Sequence, residues 1–328
     1  MPDNLATTKP SRPVQVFALS TDRIVDLESA AGRSAGEYVG DLLLANGVTP
    51  QDGDVVAVTS KIVSFHEGYA LRLSDVTPSR KARLLGRAFR KDPREVQVMM
   101  EIGHVAVVIP MMWLIRFRPL FEAIAAQSPN PAAMRRGFSG YCAYTFMVAA
   151  HASYVDDAGI DYSNAPGGVI TILPKDPCAV AERIRTAVRD RFGVDVAVIL
   201  TDTATKLGRV GSNDIAIRYA GLDPITRLTF SEDLFGVPRS GGVDLVIDSL
   251  AGMAGLVMGQ TTEMRPAILI RGLSYDRAPA GAEADGMRSL QYPRGTLWRG
   301  VVLTLAASLW FRIVSLLAFQ RWPRRTRA

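Results

Sequence analysis

The sequence predicts a mixed α+β fold with an apolar helix appended at the C-terminus, and three observations carry that expectation. Apolar runs of strand length, among them "VQVFAL" and "GDVVAVTSKIV" (53–63), alternate with segments of helical periodicity. From residue 168 a strand, "GVITILP", a helix, "DPCAVAERIRTAVRDRFG", and a second strand, "VDVAVIL", follow one another directly. Residues 301–319 then form one apolar stretch near the C-terminus.

Between the first two strands, "SAGEYVGDLLLANG" places Tyr38, Leu42 and Leu43 on one helical face. A charged helix pair follows, "SRKARLLGRAFRK" and "PREVQVMMEIG", broken at a proline. "HVAVVIPMMWLIRF" is apolar enough for one or two buried strands, whereas 118–143 loses regularity and reads as an inserted loop with one short helix. In the 168–200 unit, Val180, Ile184 and Val188 recur at i, i+4 and i+8, so strand, crossover helix and strand predict a parallel pair. Its second strand ends on Thr201-Asp202-Thr203, at the carboxyl end where such sheets bind ligands. "VDLVIDSLAGMAGLVMG" (243–259) reads as a buried helix with small residues for close packing, and "PAILIRG" as a last short strand. No internal repeat is visible.

The bulk properties narrow the class. At 328 residues, 48% hydrophobic and 21% charged, the chain can build one large core or two ordinary ones. Its net charge of +6 falls to +2 once Arg321, Arg324, Arg325 and Arg327 are set aside, which argues against a nucleic-acid partner. Two cysteines, Cys142 and Cys178, are too few for a disulfide framework, and "MPDNLATTKPSR" lacks the apolar core of a signal peptide. A cytoplasmic location is therefore expected. The domain organisation expected is a loose tail over 1–12, a catalytic region over 13–290 with the insertion at 118–143, and a helix with a basic tail over 291–328.

Neither a P-loop nor a G-x-G-x-x-G fingerprint is present, so an ordinary ATPase or dehydrogenase is excluded. His66, His104 and His151 are widely spaced, which disfavours a histidine-rich metal site. Any metal should instead be oxygen-bound. "VDDAGIDYSN" offers Asp156, Asp157 and Asp161, and "TDT" offers Asp202 with two hydroxyls, each beside an expected strand end. The same residues also fit an Asx-type turn and a helix cap. Lys61 and Arg209, flanked by small or hydroxyl residues, suit phosphate, with Gly208 and Gly211 opening the backbone to an anion. Surface salt bridges are the alternative for both.

Taken in order, "DGDVVAVTSKIVSFHEG", "KDPREV", "DDAGIDYSNAPGG", "LPKDP", "VDVAVILTDT", "GRVGSNDIAIRYAGL", "LVMG" and "ILIRGL" resemble the coenzyme F420-0 gamma-glutamyl ligase family across residues 13–275. The resemblance implies a two-domain α+β fold, a homodimer, and an amide ligase. GTP, with Mg2+ or Mn2+ and with K+ as a further candidate, would activate a small-molecule carboxylate, the acceptor, as an acyl phosphate, and an amino acid amine, L-glutamate, would displace the phosphate. It places Asp161, Asp202 and Thr203 on metal ligands, Lys61 on a nucleotide contact, and Arg209, Gly211 and Asp214 on an "R-x-G-x-x-D" segment. His151 falls on a histidine preceding the metal aspartate. Gly259, Gln260 and Glu263 fall on a guanine-nucleotide segment.

The chain also departs from the family pattern. Phe65 replaces a lysine, Thr205 a glycine, Gly208 an aromatic residue and Ser212 a glutamine, Asp248 is followed by Ser249, and "ALST" (18–21) replaces a nucleotide turn. Two alternatives thus stay open: an amide ligase acting on other substrates in specialised metabolism, and a degenerate, membrane-tethered binding module. Within 301–319, Arg312 interrupts a span of bilayer length, while Thr304, Ser308, Arg312 and Ser315 line up as one polar stripe. With Trp298, Trp310, Trp322 and the terminal arginines, this predicts a helix lying on an anionic membrane surface through residues 298–322, or docking on a partner.

Overall fold

A computed structural model describes residues 13–110, 118–132, 134, 144–150, 153–205, 211–226, 231–238, 243–278 and 296–317. The elements run β1 (Gln15–Leu19), α1 (Ala35–Ala45), β2 (Val55–Thr59), α2 (Ser60–His66), β3 (Ala70–Arg72), α3 (Arg80–Phe89), α4 (Pro93–Ile102), β4 (His104–Ile109) and α5 (Arg118–Ala125). There follow β5 (Thr145–Ala150), β6 (Ser153–Asp156), β7 (Val169–Thr171), α6 (Pro177–Phe192), β8 (Ala197–Thr205), β9 (Ser212–Ala220), β10 (Ile225–Thr226), β11 (Asp244–Leu245), α7 (Val246–Met258), β12 (Ala267–Arg271) and α8 (Thr296–Leu317). Residues 1–287 form one compact unit and 288–328 another, the described part of the second being α8.

The larger unit is organised by a five-stranded sheet in the order β1-β12-β2-β8-β9. β2 and β8 are parallel, whereas β12 runs antiparallel to both β1 and β2 and β9 antiparallel to β8. The carboxyl ends of β1, β2 and β8 therefore share one edge of the sheet. Val55, Val56, Ala57 and Val58 are fully buried, so β2 is covered on both faces. One face packs on α1 and α6 through Val39, Leu43, Ile184 and Val188, and the other on α7 through Leu250, Ala251 and Ala254. Each such aliphatic side chain contributes roughly 1.5–3 kcal/mol on burial. A separate layer packs α3 and α4 against the β4-β5-β6 sheet through Val96, Met99, Phe146 and Val148.

Local signals set the helix ends. Ser34 accepts from the Glu37 amide (3.2 Å) while Glu37 accepts from the Ser34 amide (2.8 Å), closing a capping box on α1. Asp176 accepts from the Ala179 amide at 3.0 Å, Pro177 opens α6, and Gly193 ends it at φ 72°.

Four expectations are corrected. The strand beginning at "GDVVAV" stops at Thr59, and Ser60–His66 is helical, so Lys61 lies in the first turn of α2 rather than in a strand. The helix over 243–259 starts only at Val246, after the two-residue strand β11. Most consequentially, β7 and β8 are not a parallel pair: β7 pairs antiparallel with β3 in a two-stranded sheet, and the parallel partner of β8 is β2. A short apolar run satisfies its hydrogen bonds on any free edge, so adjacency along the chain did not decide its sheet. β4 is half-buried rather than buried, and the expected second strand over 111–117 lies outside the described residues.

Candidate functional site

A cavity of about 1160 Å3 opens where β1, β2 and β8 end and β12 and β9 begin. Its volume stands at the upper end of the range of ligand-binding clefts. Lys61, Asp161, Asp202, Thr203, Asp214, Gly259, Gln260 and Glu263 all line it.

The displaced strand β7 explains how Asp161 arrives there. Asp161 and Thr171 exchange backbone hydrogen bonds, each 3.0 Å, which fixes Asp161 to the start of the β3-β7 sheet. Ser64 Oγ of α2 lies 2.7 Å from the Ile172 carbonyl oxygen and ties that sheet to the helix carrying Lys61. Lys61 Nζ consequently stands 2.5 Å from Asp161 Oδ2 and also donates to the Ser163 carbonyl.

Asp161 accepts from the Ser163 amide at 2.7 Å and from Ser163 Oγ at 3.0 Å, so the Asx-type turn is real and coexists with a place on the cavity wall. Burial works against its ionisation, but the Lys61 and Ser163 donors outweigh burial and hold the carboxyl below the ordinary aspartate value. Asp202 behaves oppositely. Burial, with the charges of Asp161 and Asp214, pushes its pKa up to about 6 against the opposing pull of Lys61 and the Thr203 amide, which donates at 2.9 Å. Asp202 is thus coupled to Asp161 across the cavity and carries a charge its surroundings disfavour.

TDT lies in a strand and not at a helix cap, so the two residues after Thr201 face opposite sides of β8. The Thr203 hydroxyl donates to Asp214 Oδ1 (3.0 Å), with Gln260 Oε1 also at 3.0 Å. Gln260 Nε2 donates to the same Asp214 oxygen at 2.9 Å. Asp214 is buried, directly opposite Thr203 in the β8-β9 ladder, and packs so tightly on α7 that a Cβ at Gly255 would lie 2.5 Å from its Oδ2. The small-residue run of α7 therefore serves close packing.

Gly259 ends α7 at φ 75°, and Glu263 folds over it to accept from the Thr261 amide at 2.8 Å. This turn meets the acid-bearing loop where Asn164 Nδ2 donates to the Thr261 carbonyl at 3.0 Å. Gly211 opens β9 at φ 138°. Arg209, Gly208 and His151 lie outside the described residues.

Several contributors escaped sequence reasoning. Asp157 is no ligand candidate in place: its carboxylate accepts the Phe146 amide (2.8 Å) and pairs with buried Lys91 at 2.9 Å. Asp157, Ala158 and Gly159 all adopt positive φ (47°, 59° and 72°), a left-handed turn that this anchoring sustains just before Asp161. Asp248 accepts from the Ala216 amide at 3.0 Å, beside the irregularity where Leu200 pairs with Arg218 and Thr201 with Ala216, leaving Ile217 as an extra residue. Arg218, a charge inside an apolar strand, carried a signal in the sequence: it is 5% exposed and lines the cavity.

As for a metal, Asp161 and Asp202 provide hard oxygen donors, and a divalent cation would offset the burial and the neighbouring like charges that raise the Asp202 pKa. Among the described residues no three His, Cys, Asp or Glu side chains group closely enough to hold an ion unaided. These residues fit an ion whose remaining ligands are water or substrate phosphate.

The F420-0:gamma-glutamyl ligase family model matches residues 29–272. Coenzyme F420:L-glutamate ligase of Methanopyrus kandleri is 32% identical over 231 residues, covering 70% of this chain and 79% of that protein. The protein of the same name from Methanothermobacter thermautotrophicus is 30% identical over 275 residues, covering 83% of this chain and 96% of its own. That from Haloarcula marismortui is 30% identical over 246 residues, 73% and 83% of the two chains.

Proposed function

The chain belongs to the F420-0:gamma-glutamyl ligase family, an enzyme family forming carbon–nitrogen bonds, and from that premise we propose a GTP-dependent amide ligase requiring Mg2+ or Mn2+, with K+ as an accessory ion. A carboxylate oxygen of the acceptor attacks the γ-phosphorus of GTP, the bond to the bridging oxygen breaks, and GDP leaves. The amine of L-glutamate or a similar amino acid then attacks the acyl carbon and expels phosphate, losing its proton to solvent.

The observation that carries this reading is the convergence of Lys61, Asp161 and Asp202 at the carboxyl ends of β2 and β8. A carboxylate and a triphosphate repel each other, and a divalent ion between them supplies the charge that offsets the repulsion. In this reading Asp161, Asp202 and Thr203 hold that ion, and Lys61 neutralises phosphate once a nucleotide displaces its contact with Asp161. Arg209 and His151 complete the catalytic set by resemblance, and Gly211, Gly259, Gln260 and Glu263 the nucleotide contacts.

The test is incubation of the full chain with GTP, Mn2+, L-glutamate and the deazaflavin carboxylate. GDP release that needs every component, with a product heavier by one glutamyl residue, is expected. GDP release absent with this acceptor but present with others replaces the substrate. Absence of any thermal shift with GTP and Mn2+ reduces the chain to a degenerate binding module.

One observation favours a different acceptor. Phe65, 5% exposed, packs with Val25 and Ala165 on the cavity wall where the family pattern has a lysine, so this wall meets an uncharged group. The chain is further proposed to act as a homodimer, and α8 to lie on an anionic membrane surface. Val302, Leu303, Leu305, Leu309 and Trp310 are each 60–69% exposed along it, and no helix among the described residues is long and apolar enough to cross a membrane. Co-sedimentation with phosphatidylglycerol vesicles, lost on removal of residues 296–328, is the outcome expected.

A further inference from the structure

Helix α3 has two faces of opposite character. The inner one, Ala82, Leu85 and Phe89, packs with Val96, Met99 and Phe146 of the second layer, and a Cβ at Gly86 would lie 2.8 Å from the Lys91 carbonyl oxygen. The outer one carries Arg80, Lys81, Arg83, Leu84, Arg87 and Ala88, all exposed, and Arg90 follows at the C-terminal cap with φ 51°. At 3.6 residues per turn Arg80, Arg83, Leu84 and Arg87 share one arc, so Leu84, 68% exposed, stands among three guanidinium groups.

These cations have no carboxylate of their own. Among the described residues none of Arg80, Lys81, Arg83, Arg87 and Arg90 takes part in an ion pair. The acids between residues 68 and 102 are Asp75, Asp92, Glu95 and Glu101, and all are engaged elsewhere. Asp75 accepts from Ser74 Oγ at 3.0 Å, Asp92 pairs with Arg94 at 2.6 Å, Glu95 accepts from the Tyr162 hydroxyl, and Glu101 accepts from Gln97 Nε2 at 2.6 Å. Arg80 with Arg83, and Arg83 with Arg87, are like charges at helical spacing and repel one another. An external array of phosphates relieves that repulsion, and the planar guanidinium suits phosphate oxygens.

We propose that the outer face of α3 docks on an anionic lipid surface, with Arg80, Lys81, Arg83 and Arg87 meeting lipid phosphates and Leu84 entering between the headgroups. The apolar face of α3 is spent on packing, so the contact is peripheral and electrostatic rather than embedded. Leu84 favours lipid over nucleic acid, because a phosphodiester backbone offers an exposed leucine no apolar partner. From residue 296 onward the same chain has six arginines and no acid around an exposed apolar helix, which asks for the same class of partner. The α3 contact is separate from the one proposed for α8 and from the ligase reading.

The test is co-sedimentation of the full chain with phosphatidylcholine vesicles of increasing phosphatidylglycerol content, read as a partition coefficient. Partitioning should rise with phosphatidylglycerol and fall about tenfold or more in Arg83→Gln/Arg87→Gln. Lys175→Gln/Arg189→Gln removes the same charge from exposed positions outside α3 and should stay within about twofold of wild type. Glutamine keeps the helix propensity of arginine, so both variants should melt with the wild-type chain. Leu84→Ala leaves every charge in place and should weaken partitioning about threefold. A wild-type chain indifferent to phosphatidylglycerol, the two double variants weakened alike, or unchanged partitioning of Arg83→Gln/Arg87→Gln would each overturn the proposal. Binding of poly(U) RNA that depends on Arg83 and Arg87 while vesicle binding does not would assign the face to nucleic acid instead. Vesicle binding lost on removal of residues 296–328 but unaltered in Arg83→Gln/Arg87→Gln would leave α8 as the sole contact; the reverse pattern would remove the α8 reading and keep this one. The GTP assay bears on neither.

Discussion

Lys61 Nζ lies 2.5 Å from Asp161 Oδ2, so one short helix after β2 and one turn before β7 present opposite charges to the same point of the cavity. Removing the ammonium takes away the group that favours the ionised form of Asp161 and, on the proposed ligase reading, a phosphate partner. Lys61→Met should therefore lower kcat/KM for GTP by on the order of 10²–10³-fold, a loss of about 3–4 kcal/mol of transition-state stabilisation. Steady-state kinetics at varied GTP reads this, and a variant within twofold of wild type would remove Lys61 from the chemistry.

Asp202 predicts a conflict between stability and activity. Its folded-state pKa, about 6, stands above the ordinary 3.8, so the folded chain binds the extra proton between these values. The group's contribution to stability is fully present below the lower value and is lost as pH rises through the upper one. Asp202→Asn, which never ionises, should be inactive yet more stable than wild type at pH 7.5 without metal, by about 1–2 kcal/mol. The advantage should shrink at pH 4.5. Thermal melts at the two pH values decide it, and an equal or reversed difference would contradict the placement of Asp202.

Lys91 is buried and pairs with Asp157 at 2.9 Å, three residues after which the backbone returns from left-handed φ. Cutting the lysine back to Lys91→Met leaves the Asp157 carboxylate without its cation and should cost about 3 kcal/mol of stability. The change should also weaken binding of Mn2+ with GTP, because Asp161 follows this turn directly. Denaturant melts and Mn2+ titrations by electron paramagnetic resonance measure the two effects. Lys91→Arg should restore part of both.

Two glycines of one helix should respond in opposite ways. Alanine at Gly252 meets only Asn213 Nδ2, at 4.0 Å, and gains helix propensity, raising stability by up to about 1 kcal/mol. Alanine at Gly255 would place Cβ 2.5 Å from Asp214 Oδ2, pushing Asp214 off Thr203 and Gln260. A lower melting temperature and reduced activity are expected for Gly255→Ala alone. Similar behaviour of the two variants would mean that Asp214 yields without consequence.

Much of the frame is legible in single segments. Val180, Ile184 and Val188 are fully or nearly fully buried in α6, as their spacing requires, and Tyr38, Leu42 and Leu43 are buried in α1. The polar end of "VAVILTDT" faces a cavity where the parallel pairing of β8 with β2 stops at Thr201, although β8 itself runs on to Thr205 beside β9. In each case neighbours three or four residues apart, or alternate residues of one strand, share an environment, so burial writes a period into the local sequence.

The partner of β7 is not legible in the same way, because a three-residue strand satisfies its backbone on any free edge. Nor is the pairing of Lys91 with Asp157, or the irregularity at Ile217 beside buried Arg218. These depend on which distant segment arrives next to which, and charged residues carry no mark of their partner until the fold removes water from around them.

By itself the sequence determined the longer helices, most of the longer strands, and that Asp202 belongs to the polar end of an apolar strand, since those follow from short-range periodicity and capping. Only the tertiary structure decided that β7 lies outside the main sheet and brings Asp161 to Lys61, that Thr203 bonds Asp214, and that Arg218 is buried beside the cavity. The physical reason is that hydrogen bonding between strands and pairing between buried charges are satisfied globally, by the lowest-energy arrangement of all edges and charges together.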